Sequence, residues 1–136
     1  MRQEKFEFFK IDIEVSNKLK VIEFNKLPFS PHRTYWLTNF ENGEIRGNHA
    51  HKALTQAVIA IQGVFHLRLF DGKIESEIIL NPESGVLIIK PGVWRIITDV
   101  VGNSIMLVLA SEPYSESDYI RNFQEYIDWH ESSNLE

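Results

Sequence analysis

Two histidines set one residue apart, His49 and His51, are the densest concentration of chemistry in this 136-residue chain. Residues i and i+2 of an extended strand face the same side, so both imidazoles can enter one space. An imidazole titrates near neutrality, which makes it a proton carrier at cellular pH. The pair sits inside the string Gly43-x5-His49-x-His51-x4-Gln56-x6-Gly63. Gln56, on the neighbouring strand or at its start, can reach the same space. Two imidazoles and a neutral amide make a weak metal shell, because Zn²⁺ and Fe²⁺ sites take three or four N, S or carboxylate ligands. The chain has no cysteine, which removes thiolate metal sites, disulfides and a thiol nucleophile together. Neither a metal nor a cofactor is expected, and no nicotinamide-binding motif is present.

The elements that must hold these side chains are short apolar or alternating runs separated by turn signals. Candidate strands are Phe6–Ile11, Leu19–Phe24, Arg33–Thr38, Gly47–His51, Ala53–Gln62, Val64–Phe70, Lys73–Leu80, Gly85–Ile89, Trp94–Val100 and Ser104–Ala110. Asp71-Gly72 reads as a two-residue hairpin turn between Phe70 and Lys73. Many strands at about ten-residue spacing predict an all-β sandwich or barrel. The tail differs, because Tyr119, Ile120, Phe123, Tyr126 and Ile127 fall on one helical stripe. This predicts a helix over about 115–129, capped by Ser115 or Ser117, with Ser132–Glu136 fraying. The whole of 1–136 reads as one domain.

Composition narrows the partners. Net charge is −5, so the positive footprint of a nucleic-acid binder is missing. No apolar run approaches a membrane span, and the first residues hold Arg2, Glu4, Lys5 and Glu7 in place of an apolar leader. A reducing cytoplasm is the expected compartment. Aromatic residues make up 12% of the chain, and a domain this small must bury those rings in a core, a ligand cavity or a partner. Phe6, Phe8, Phe65 and Phe70 are expected in the core or a dimer contact.

The Gly43–Gly63 string resembles the first motif of the cupin superfamily, with Gln56 where a Glu ligand usually stands. Gly85-x5-Pro91 opens the second motif, but Gly92-Val93-Trp94-Arg95-Ile96 follows and no histidine does. The resemblance implies a cupin jelly roll with a short C-terminal helix. The flanks narrow it. His32-Arg33-Thr34-Tyr35-Trp36, Arg46-Gly47-Asn48-His49-Ala50-His51-Lys52 and Tyr114 through Arg121 are similar to the nucleotide-sugar 3,4-ketoisomerases. This family implies a metal-independent isomerase that moves a keto group from C4 to C3 of dTDP-4-keto-6-deoxyglucose, for deoxy-amino sugars of surface glycans. It also implies a homodimer with exchanged N-terminal strands. On that resemblance His49 is the principal base, His51 the second acid–base group, and Tyr35 bonds the sugar or relays protons. Arg33, Arg46, Gln56, Trp94 and Arg95 are expected to bind substrate, with Arg46 on the diphosphate and Trp94 stacking on thymine or walling the pocket. The Tyr114–Arg121 segment is expected to be structural. The chain departs from the family at Arg95, where His is common, and at Asp12–Lys18, which lacks the usual Arg-Gly pair. A non-catalytic cupin binding a sugar nucleotide, a related sugar-nucleotide epimerase and a metal-dependent cupin enzyme are the alternatives.

Overall fold

Period-two alternation in the strands resolves into two facing antiparallel sheets. A computed structural model describes residues 8–13, 16 and 18–134. The strands among them are β1 (Phe8–Ile11), β2 (Arg33–Leu37), β3 (Arg46–His51), β4 (Gln56–Gln62), β5 (Phe65–Phe70), β6 (Glu75–Leu80), β7 (Val86–Ile89), β8 (Trp94–Thr98), β9 (Ile105–Ala110) and β10 (Tyr119–Ile120), followed by the helix α1 (Phe123–Asn134). The first sheet runs β1–β7–β4–β9–β2 and the second β10–β3–β8–β5–β6. This is the expected jelly-roll sandwich with a short C-terminal helix.

Both sheets are covered on both faces for part of their area. Val58, Leu67, Leu87, Ile97, Met106 and Val108 point inward and form the core between the sheets. Their strand neighbours point outward. Ala57, Ile59, Val86 and Ile88 pack beneath Ile11, Ile13, Ile22 and Leu27, so the N-terminal segment roofs the first sheet. Ala50 and Trp94 pack with Ile120 and Tyr126, which places α1 against the outside of the second sheet. Double coverage explains why β4 and β7 read as nearly continuous apolar runs.

Several local expectations are corrected. The helix is Phe123–Asn134, not 115–129, and its N-cap is Asn122, whose Oδ1 accepts the Glu125 amide at 2.9 Å. Ser115 precedes a 3₁₀ turn at Glu116–Asp118 and makes no side-chain cap. Tyr119 and Ile120 then extend along β3, opposite His51 and Ala50, because that edge offers unpaired backbone groups. Ser132 and Ser133 lie inside the helix. Leu135, Glu136 and Phe6 lie outside the described residues, as do Glu14, Val15 and Asn17 of the departing stretch. Leu19–Phe24 forms no strand beyond one bridge at Lys20 and leads into a 3₁₀ turn at Phe24–Lys26. The β5–β6 turn is centred one residue later than expected, on Gly72-Lys73, with the Asp71 amide bonded to the Ile74 carbonyl and Gly72 at φ +101°. Phe65 is core, Phe8 packs against the core, and Phe70 belongs to the outer aromatic cluster with Tyr126.

Candidate active site

A cavity of about 550 Å³ opens between the sheets, within the size range of small-molecule sites. Its walls carry Arg33 and Tyr35 from β2, Arg46 and His49 from β3, Gln56 from β4 and Arg95 from β8. A bulge in β3 makes this set possible. Arg46 pairs with Ile97 and His49 with Arg95, so three residues of β3 span two of β8. Simple alternation would put Arg46 and His49 on opposite faces; the extra residue brings both inward. Gly47 at φ +90° and Asn48 at φ +58° form the bulge. A Cβ at Gly47 would stand 2.8 Å from the Arg95 carbonyl oxygen, so glycine is required there on two counts.

The two imidazoles meet edge to face, with ring centroids 4.9 Å apart. His49 lines the cavity, whereas His51 is fully buried behind it. Burial, then the Arg95 charge and the neighbouring His51, push His49 down to about 3. Burial, then the charges of Arg95, Arg33 and Arg121, likewise hold His51 far below its ordinary range. Both rings are therefore neutral at pH 7, the form that accepts protons. His51 Nδ1 lies 3.0 Å from Asp118 Oδ2. A carboxylate only accepts, so Nδ1 carries the proton and Nε2 keeps its lone pair. Among the described residues Nε2 of His51 and Nδ1 of His49 have no hydrogen-bond partner.

Opposite the histidines runs a buried polar chain. Arg95 donates through Nη1 to Gln56 Oε1, and through Nε and Nη2 to the Val93 carbonyl at 3.3 and 3.1 Å. Gln56 Nε2 donates to the Tyr35 hydroxyl at 2.8 Å. Burial lowers Arg95 to about 10, which leaves it charged at pH 7. Burial raises Tyr35, against the pull of Arg95, Arg33 and Gln56, so the phenol stays protonated. At the mouth, the Arg33 guanidinium lies 5.2 Å from the Tyr35 ring centre and bonds the Glu112 carbonyl, while Arg46 pairs with Glu44 at 3.4 Å.

Of the expected site residues, the structure brings six to the cavity wall, buries His51 directly behind it, and puts one elsewhere. Trp94 points out of β8, away from Arg95, and packs on Phe123 and Tyr126. Strand alternation forbids adjacent residues from sharing a face, so Trp94 and Arg95 cannot both enter the cavity. The Tyr114–Arg121 segment, expected to be structural, reaches the cavity. Tyr119 lies 5.0 and 4.4 Å from the rings of His49 and His51, and Arg121 sits 4.0 Å above it. Tyr119 and Arg121 both line the cavity. Arg121 pairs with Glu116 at 2.8 Å, not with Asp118, which serves His51. The i, i+2 spacing of Tyr119 and Arg121 was the signal for a shared strand face.

Comparison with known proteins places this arrangement. Residues 2–131 match the family model FdtA, described as WxcM-like, C-terminal. The chain is 41% identical over 123 residues to the TDP-4-oxo-6-deoxy-alpha-D-glucose-3,4-oxoisomerase of Aneurinibacillus thermoaerophilus, covering 88% of each. It superposes with a TM-score of 0.85 on QdtA, a sugar 3,4-ketoisomerase from Thermoanaerobacterium thermosaccharolyticum solved with TDP, at 37% identity over 94% of this chain and 96% of that one. A histidine-to-asparagine variant of QdtA, solved with TDP-4-keto-6-deoxyglucose, matches at 36% identity and TM-score 0.85 over 97% and 98% of the two chains. The fold, the cavity and these matches agree: the chain belongs to the FdtA family of WxcM-like C-terminal domains.

Proposed function

We propose that the protein is a metal-independent 3,4-ketoisomerase acting on a TDP-4-keto-6-deoxyhexose, and that His49 is its principal base. The C3 proton, acidic beside the C4 ketone, passes to the neutral imidazole of His49. The bonding electrons form the C3–C4 double bond of an enediolate whose charge rests on O4. A proton is then delivered to C4 while the C3 hydroxyl loses its own, leaving the carbonyl at C3. C4 gains the hydrogen that C3 loses, so no redox partner enters. Tyr35 hydrogen-bonds the oxyanion and passes protons between the oxygens. The buried Arg95 charge, which adds to burial in holding both imidazoles neutral, also favours negative charge on the enediolate. Arg33 and Arg46 face the diphosphate, whose oxygens match a guanidinium in pairs. His51, oriented by Asp118, is the second acid–base group.

The observation that carries this reading is a neutral histidine lining a cavity opposite a buried phenol and guanidinium. The experiment is incubation of TDP-4-keto-6-deoxyglucose in D₂O with the wild type and His49→Asn. The wild type should form the 3-keto sugar with deuterium at C4 and, through the reverse reaction, place deuterium at C3 of the 4-keto sugar. The variant should bind TDP and do neither. Wild-type protein that binds the sugar nucleotide without exchange is a binding module, and His49→Asn with full turnover removes His49 from the role. A homodimer with exchanged N-terminal strands belongs to the same proposal. It is supported by β1, which pairs with β7 at the edge of its sheet and could do so from a partner subunit.

A further inference from the structure

From the buried chain of donors we infer that Gln56 is a positioning residue for the reaction: it carries the polarisation of Arg95 to Tyr35 and commits the phenol O–H to the substrate. This rests on the role of Tyr35 proposed above.

The direction of each bond is fixed by chemistry. Arg95 has only donors, so the Gln56 oxygen must face it. The amide nitrogen must then face Tyr35, and it can only donate. The phenol oxygen therefore receives a proton donor from behind and must point its own proton elsewhere, along the cavity it lines. An amide whose oxygen accepts from a cation is a better donor at nitrogen, and a phenol that accepts such a bond is a better donor in turn. All three side chains come from different strands: β8 for Arg95, β4 for Gln56 and β2 for Tyr35. Gln56 is buried, as is Arg95, so water does not compete for the bonds.

The substitution Gln56→Glu would break the relay without changing its shape. The introduced carboxylate accepts from Arg95 as the amide oxygen does, but toward Tyr35 it can only accept. The phenol proton then turns backward to the carboxylate and is withdrawn from the cavity. The position therefore demands an amide.

The test measures kcat, KM and TDP affinity for Gln56→Glu, Tyr35→Phe and the double variant, with thermal midpoints alongside. Loss of a proton-donating group costs about 100-fold in rate or more, so Tyr35→Phe should lower kcat by that order. Gln56→Glu should lower kcat at least about tenfold, with KM and TDP affinity within about threefold of wild type. In the Tyr35→Phe background most of that cost should vanish, since the proton it misdirects is gone and only the neutralised Arg95 charge remains to be felt. Gln56→Met, which neither accepts nor donates, replaces the Glu variant if the latter does not fold. Tyr35→Phe with full turnover would remove the reading of Tyr35 itself. A damaged Tyr35→Phe beside an unaffected Gln56→Glu would overturn only the relay. So would a Gln56→Glu penalty as large without the phenol as with it, because the amide would then be acting through Arg95 alone.

Discussion

At the residue scale the governing fact is a buried cation that no carboxylate among the described residues pairs directly. Arg95 sits at the centre of the sandwich with its hydrogen bonds accepted by neutral groups, the Val93 carbonyl and the Gln56 amide oxygen. Burial, reinforced by that charge, keeps His49 down to about 3 in the free protein. Protonation of His49 would disable it as a base, and that protonation sets in only far below the ordinary histidine value of about 6.5. The pH dependence of kcat/KM reports the free enzyme. It should therefore stay flat as pH falls from about 8 through 6.5 to about 5, with no acid limb at the ordinary histidine value. Binding changes the sign of the local field. In the proposed complex the diphosphate brings negative charge against Arg33 and Arg46 at the cavity mouth, and a negative neighbour stabilises the imidazolium. The acid limb of kcat should thus lie at higher pH than that of kcat/KM. Rate measurements from about pH 4.5 to 8.5 decide it; an acid limb of kcat/KM at about 6.5 would show that His49 is not depressed in the free protein.

At the element scale the bulge in β3 does the positioning, and its weak point is Gly47. Alanine there meets both an unfavourable positive φ and a Cβ 2.8 Å from the Arg95 carbonyl. Gly47→Ala should cost about 1–3 kcal/mol of stability and lower kcat/KM by displacing His49 relative to Arg95. Gly43→Ala is the control, since Gly43 also has positive φ, at +78°, but has open space around it. It should lose some stability and keep its turnover. Wild-type melting and activity in Gly47→Ala would refute this role for the bulge. The bulge also marks where local reading stops. Unbroken apolar runs made β4, β7 and β9 legible, and turn residues showed where strands end. The pairing of Arg33 with Tyr35, and of His49 with His51, followed from strand alternation. Alternation also had the information to separate Trp94 from Arg95. What no local pattern carries is contact between distant segments: Asp118 reaches His51 across 67 positions, and Gln56 reaches Arg95 across 39. The tail misled for a related reason. Tyr119 and Ile120 fit a helical stripe, yet the free edge of β3 captured them, and Asn122 caps a helix that begins only after them.

At the scale of the whole molecule, the first sheet has two edges to protect, β1 on one side and β2 on the other. Trp36 in β2 is 62% exposed, and Phe9 in β1 and Phe24 beyond it are also exposed. Large rings at the margins of one sheet are the kind of surface a second copy would bury. Exchange of the N-terminal strands keeps every β1–β7 hydrogen bond and changes only which chain supplies it. The sheet therefore loses nothing, while new apolar area is covered. A dimer held this way has two separable signatures. Light scattering at micromolar concentration should give twice the chain mass of 15.8 kDa. Tagged and untagged dimers, once mixed, should form hybrids only slowly, because β1 must leave its partner's β7 before subunits can trade. Brief mild denaturant, which frees β1, should speed hybrid formation. A mass of one chain would refute the dimer. A stable dimer whose subunits mix at once in native buffer would refute the exchanged strand and leave an ordinary face-to-face contact.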